Sequence, residues 1–248
     1  MRYVMALLCA LLCVSPPVMA EIENITLTAN EWPPYTSDHI EGGGLVIELI
    51  TAAFAEEGIR TQYQIMPWAR AIASVEAREA DAVAAWDSSE RRETFHFSDR
   101  LLLNNMVLVK RDNNPVYWQT LDDLKPYSFV LVRGAVSLEA IDQASDFKKN
   151  YVTTEETAID LVLKGRADLT IRDQGIVEYL IQQQPERFAG RIDFSGKTLG
   201  RNALHLVVSK QHPRASWIIT SFNRGLKKIK HSGQYQALMA KYGMTLSE

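Results

Sequence analysis

The chain has 248 residues, of which 46% are hydrophobic, 23% charged and 9% aromatic. That profile is ordinary for a packed globular protein and excludes a disordered, collagenous or disulfide-dense chain. The 27 basic and 30 acidic residues leave a net charge of −3, without the basic excess that a nucleic-acid binder shows.

The chain opens with Arg2, an apolar run from Val4 to Val14, and Val18-Met19-Ala20. A positive start, a short apolar core and small residues at a cleavage site predict a secretory signal peptide over residues 1–20, cut after Ala20. The run is shorter than the roughly 20 apolar residues of a membrane span. Both cysteines, Cys9 and Cys13, fall inside it, so the exported chain has no disulfide and no thiolate metal site. Losing Arg2, the one basic residue of the segment, takes the net charge to −4.

Strand and helix signals then alternate. Ile22 to Ala29 alternates apolar and polar residues as a strand does, and Pro33-Pro34 breaks it. Gly42-Gly43-Gly44 leads into a helix from Leu45 to Glu57, with Val46, Leu49, Ile50, Ala53 and Phe54 on one face. Thr61 to Met66 reads as a strand, about 69 to 78 as a helix, and Asp81 to Trp86 as a third strand. That order predicts a mostly parallel sheet with helices on its faces. Further strands are expected at Asn105 to Lys110, Phe129 to Val132, Asp168 to Ile171 and Ala203 to Val208. Helices are expected from about Ser137, after Asp168–Ile171 as far as Gln183, over Ala215 to Lys230, and over Tyr235 to Tyr242.

One internal echo stands out. Ala71-Ile72-x-x-Val75 before Ala80-Asp81 matches Ala158-Ile159-x-x-Val162 before Ala167-Asp168. It suggests two similar α/β lobes rather than one large sheet.

Motifs for nucleophilic hydrolysis, zinc proteolysis and phosphate binding are absent, and the five histidines do not pair at metal-ligand spacing. The informative residues are those expected beyond the carboxyl ends of parallel strands, where ligands sit in an open sheet. Trp32 and Tyr35 follow the first strand, and Trp68 and Arg70 the second. Trp86, Ser88 and Arg91 follow the third. Arg133 and Ser137 follow the first strand of the second lobe, and Arg172 and Asp173 a later one.

Ser88-Ser89-Glu90-Arg91 followed by Phe95-His96-Phe97-Ser98-Asp99 resembles the T-P-E-R … D-F-S-D signature of family 3 extracellular solute-binding proteins. Pro33-Pro34-Tyr35, Ala80-Asp81 and the closing Lys241-Tyr242-Gly243 are similar to the same family. The resemblance implies the two-lobed fold of type II periplasmic binding proteins, each lobe a mostly parallel sheet flanked by helices, joined by a two-strand hinge. The first lobe would span 21–105 and 200–248, and the second 106–199. It also implies a monomer in the periplasm that captures a small polar, carboxylate-bearing solute, an amino acid among the candidates, for an inner-membrane ABC permease.

By the same resemblance, Arg91 stands where an arginine clamps the ligand carboxylate, and Asp173 where an acid takes an ammonium. Trp32 and Trp68 stand where aromatics wall the pocket, and Ser137 where a second-lobe turn meets the carboxylate. No cofactor, catalytic residue or metal is implied. The chain departs from the family pattern at Trp86, where the importers carry a small or hydroxyl residue, and at Ala135-Val136, where they carry threonine-glycine. Two rival readings share the fold: a periplasmic cyclohexadienyl dehydratase, with Asp173 or Glu31 as its acid, and a ligand-sensing subunit that docks on a receptor.

Overall fold

A computed structural model describes residues 23–194 and 198–244. The expected signal peptide and its cleavage point lie outside the described residues. Among the described residues, no helix is long and apolar enough to cross a membrane.

The first half is built from β1 (Asn24–Ala29), α1 (Leu45–Ala55), β2 (Arg60–Ile65), α2 (Trp68–Glu76), β3 (Ala82–Trp86) and the short α3 (Ser89–Thr94). The alternation read along β1 holds over Asn24 to Leu27, where Ile25 and Leu27 are buried, and then ends, because Thr28 and Ala29 are buried too. β2 and β3 flank β1 in parallel. The long β4 (Phe95–Arg111) then leaves this half. The second half holds β5 (Ser128–Val132), α4 (Glu139–Asp142), β6 (Lys148–Val152), α5 (Glu155–Leu163), β7 (Leu169–Asp173), α6 (Gln174–Gln183), α7 (Pro185–Phe188) and β8 (Ile192–Asp193). β9 (Gly200–Ser209) returns to the first half, where α8 (Ala215–Ser232) and α9 (Gln234–Lys241) complete it.

The strand order is β2-β1-β3-β9-β4-β7-β5-β6, with β8 on β4. The two lobes expected from the internal echo are present, yet they share one continuous hydrogen-bonded ladder. The reason is that the antiparallel β4–β9 pair belongs to both. β9 pairs β3 at one end, and β4 pairs β7 at the other. Met106 is the exchange point, opposite Gly200 on one side and Asp173 on the other.

The echo has a structural cause. Asp81 and Asp168 each precede a strand and accept a backbone N–H from the neighbouring parallel strand. Thr26 N lies 2.7 Å from Asp81 Oδ2, and Ser128 N lies 2.9 Å from Asp168 Oδ2. In both halves the preceding helix buries its apolar face, with Ala71 and Val75 in α2 and Ala158, Ile159 and Val162 in α5.

The largest apolar cluster reaches across both halves, and a second lies within the second half. In the first, Phe54 of α1 packs on Phe222 of α8 with ring centroids 5.5 Å apart. These helices approach so closely that a Cβ on Gly225 would fall 1.8 Å from the Ala53 carbonyl oxygen. In the second, Phe129, Ile141, Phe147 and Leu169 cluster together.

The helix expected from about Ser137 is only α4. Asp142 Oδ2 accepts from the backbone N–H groups of Ser137 and Leu138 at its start. The Lys149 ammonium bonds the carbonyls of Ile141, Asp142 and Ala144 at its end. Lysine at a helix C-terminus satisfies the orphan carbonyls and closes the helix there.

Candidate functional site

A cleft of about 620 Å³ runs between the two halves. Its walls come from the carboxyl ends of parallel strands in both. Trp32 follows β1, Met66 follows β2 and Trp86 ends β3, while Val132 ends β5 and Thr153, Thr154 and Glu155 follow β6. The lining is dominated by aromatic and aliphatic side chains, the usual character of a small-molecule site.

Of the residues expected at a site, Arg91, Trp32, Trp68 and Trp86 meet in this cleft. Trp32 packs on Trp86 nearly at right angles, with centroids 5.3 Å apart, and on Tyr35 at 4.3 Å. Arg91 sits in the first turn of α3, whose N-cap Ser88 accepts the Arg91 backbone N–H at 3.3 Å. Its guanidinium donates to the carbonyl oxygens of Trp86 at 2.9 Å and Gly134 at 3.3 Å, and lies 5.1 Å over the Trp68 ring. Burial pulls its pKa down to about 10, against weak support from Glu90 and Asp142. No carboxylate among the described residues forms an ion pair with it. The two carbonyl bonds leave further N–H groups for a ligand.

The halves touch directly at Gly134. Its φ of +73° is a conformation that L side chains avoid, and this turn presents its carbonyl to the other lobe. Trp68 Nε1 donates to that oxygen at 2.8 Å, beside Arg91. Ser89 adds a bond from its hydroxyl to Glu139 at 2.5 Å. Trp68→Phe keeps the ring and removes one of these ties. A hydrogen bond nets about 0.5–1.5 kcal/mol, so the balance between closed and open forms should move roughly 2- to 13-fold toward open. Small-angle scattering should then give a larger radius of gyration for the variant; superimposable profiles would show that the bond does not hold the lobes together.

The other expected site residues lie elsewhere. Arg70 is exposed on α2 and does not line the cleft. Ser88 is buried in its capping role, which positions Arg91. Ser137 is buried; its N–H goes to Asp142, and its carbonyl accepts from Asn202 Nδ2 at 3.1 Å, tying the Gly134 turn to β9.

Asp173 departs most from expectation. It faces neither the cleft nor Arg172. It is 2% exposed, caps α6, and accepts the Tyr35 hydroxyl at 2.5 Å, Asn104 Nδ2 at 3.0 Å and Ile176 N at 3.2 Å. Asp173 and Tyr35 line a separate cavity of about 410 Å³, which shares no lining residue with the cleft. Burial lifts the Asp173 pKa to about 6, and the hydrogen bonds from Tyr35, Asn104 and the backbone of Ile176 and Gly175 only partly oppose it. Burial and the Asp173 charge push Tyr35 well above its ordinary range, so the phenol keeps its proton. Arg172 points away, its Nε 2.7 Å from Glu155.

Glu155, Thr153 and Thr154 were not foreseen at the cleft. They follow β6, a polar, largely exposed edge strand whose sequence carries no apolar period. With β6 recognised, the rule that ligands gather beyond strand ends would have found them. Among the described residues, no group of three or more His, Cys, Asp or Glu is placed to hold a metal.

A sequence search of curated proteins returns no match. Solved structures share the fold. The sensor domain of a histidine kinase with similarity to periplasmic binding proteins is 18% identical with a TM-score of 0.81, covering 92% of this chain and 99% of its own. A mutant of the arginine-binding protein ArgBP from T. maritima is 19% identical with a TM-score of 0.75, covering 89% and 95%. The substrate-binding protein of an amino acid ABC transporter is 20% identical with a TM-score of 0.72, covering 88% and 98%. The model of one sequence family matches residues 25–245, nearly the whole described chain. With the two-lobed fold and a cleft at the strand ends, that match establishes that the chain belongs to the bacterial extracellular solute-binding proteins, family 3.

Proposed function

We propose that the protein is an exported, periplasmic and monomeric binding protein that captures a small carboxylate-bearing solute between its lobes. The observation that carries this reading is Arg91. A half-buried guanidinium in a largely apolar cleft, its hydrogen bonds among the described residues made to neutral carbonyls, calls for an anion, and its planar fork suits a carboxylate. Trp32, Trp68 and Trp86 would wall the rest of the ligand, and Ser88 and Ser137 would hold the turns that present the site. The lobes would divide at Met106 and Gly200, giving 21–105 with 200–248 and 106–199, because β4 changes partner there.

The captured solute would pass to an inner-membrane ABC permease. A sensing role is the second reading, supported by the fit to a histidine kinase sensor domain over 99% of that chain. Uptake of the labelled solute separates them: loss of uptake in a gene deletion supports transport, whereas intact uptake with an altered transcriptional response supports sensing. A dehydratase would need a proton-donating acid aimed into the cleft; Asp173 does not line it, Glu155 is paired with Arg172, and Glu31 stands at its exposed mouth.

A thermal-shift screen of small acids, amines, amino acids and sugars tests capture itself. A ligand present at about 100 times its Kd should add about 2.7 kcal/mol of stability. Binding should also change the intrinsic fluorescence, since three of the five tryptophans line the cleft. A screen without one stabilising solute, and a flat fluorescence titration, would overturn the reading.

A further inference from the structure

We propose that the cleft takes a monocarboxylate with an apolar body and no amine, and that Trp86 sets this choice. The inference rests on the capture reading above and names the class of solute.

The argument is a census of charge around the cleft. An ammonium drawn out of water needs an acceptor, or it is left buried and unpaired at a large cost. Three acids are candidates. Glu155 lines the cleft, but its carboxylate is held 2.7 Å from the buried Arg172. Glu31 lies at the exposed mouth, where it accepts the backbone N–H of Asp38 at 3.3 Å. Asp173 is closed off. Trp86 Nε1 donates to Asn104 Oδ1 at 3.0 Å, and Asn104 Nδ2 donates to Asp173 at 3.0 Å. The indole thus stands between the cleft and the Asn104–Asp173 pair, and both carboxylate oxygens already have donors.

Arg91 is left as a cation without a carboxylate partner, so one anionic group on the ligand balances the site. The indoles also do not form an open cage for a cation. The Trp68 ring already carries the Arg91 guanidinium, and Trp32 packs against both Tyr35 and Trp86. Met66, Val136 and Leu204 add aliphatic wall. What fits is a flat or branched apolar body ending in a single carboxylate.

Matched pairs that differ only in the amine test this. Calorimetry on the purified full chain would compare 3-phenylpropanoate with phenylalanine, indole-3-propanoate with tryptophan, and 4-methylpentanoate with leucine. N,N,N-trimethylglycine serves as a carboxylate with a caged-cation body. At least one unaminated acid should bind ten-fold or more tighter than its amino acid, and trimethylglycine should not compete. In Trp86→Ser, which opens the path to Asn104 and Asp173, the preference should move toward the amino acid by ten-fold or more. If an amino acid or trimethylglycine binds as well as or better than the acids, the inference fails and capture stands. If neither series binds the wild type, the inference fails, and the wider screen decides whether capture fails with it. The wild-type comparison is decisive even if Trp86→Ser does not fold.

Discussion

Arg91→Ala is expected to cost roughly 30- to 4000-fold in affinity for the captured acid while the melting temperature of the unliganded protein changes little. Removing one partner of a desolvated charge pair costs about 2–5 kcal/mol, which gives that range. The fold should survive because Arg91 supports no core. Its side chain meets two carbonyl oxygens and one indole face, all at the cleft. Its loss also removes one tie to Gly134, so part of the affinity loss should appear as a more open unliganded form. Arg91→Lys should recover only part of the binding, since a point-charged ammonium cannot make two parallel bonds to a carboxylate. Calorimetry with the best acid from the screen checks this. Equal affinity in wild type and Arg91→Ala would remove Arg91 from the site.

The parts legible in the sequence are those where one local period decides the outcome. α1, α2, α8 and α9 each bury one face of a helical period, and their bounds fall within a few residues of those read from the pattern. The echo was legible because one physical task recurs: an aspartate before a strand holds the neighbouring strand's N–H in each half. β4 was visible only in its second part. Its first part is interrupted by Ser98-Asp99-Arg100, where the register against β9 shifts, and alternation is lost there. β6 was invisible because an exposed edge strand need not be apolar on either face.

The site was legible to the extent that strand ends are. Trp32, Trp68, Trp86 and Arg91 follow recognisable strands and do meet. Position in sequence does not say which side of the crossing strands a side chain takes, and Asp173 turns to the far side. Its partners Tyr35 and Asn104 are 138 and 69 residues away, so no local signal could assign them. Glu155 carries the opposite lesson. An acid in the first turn of a helix reads as a favourable dipole interaction, which conceals its pairing with Arg172.

Asp173 should make the stability of the protein rise as the pH falls, against the usual behaviour of a paired carboxylate. Its pKa is about 6 in the fold because burial outweighs its hydrogen bonds, and about 3.9 in an unfolded chain. The folded state therefore holds the proton more tightly. The stabilisation is complete below about 3.9 and is lost as the pH rises through about 6. The gap corresponds to about 2–3 kcal/mol. Among the described residues no cation forms an ion pair with Asp173, although Arg100 and Lys230 line the same cavity. The groups around it are the Tyr35 phenol, the Asn104 amide and the N-terminal N–H groups of α6, with Glu178 adding negative charge near Tyr35. Asp173→Asn removes the titration and keeps a good helix cap. Urea unfolding of both proteins between pH 7.5 and 4 should show wild type gaining about 2–3 kcal/mol on the variant over that range, because the other carboxylates titrate alike in both. Parallel curves would mean that water or a cation reaches Asp173. The Tyr35–Asp173 bond joins the two lobes beside the crossing strands, so the same titration should act on the hinge. Above pH 6 the bond is charge-assisted and stiff, and below it a neutral pair remains. Opening that wets Asp173 removes the burial that raises its pKa, and this outweighs the lost charge assistance, so lobe opening in the unliganded protein, followed by scattering, should become harder as the pH falls.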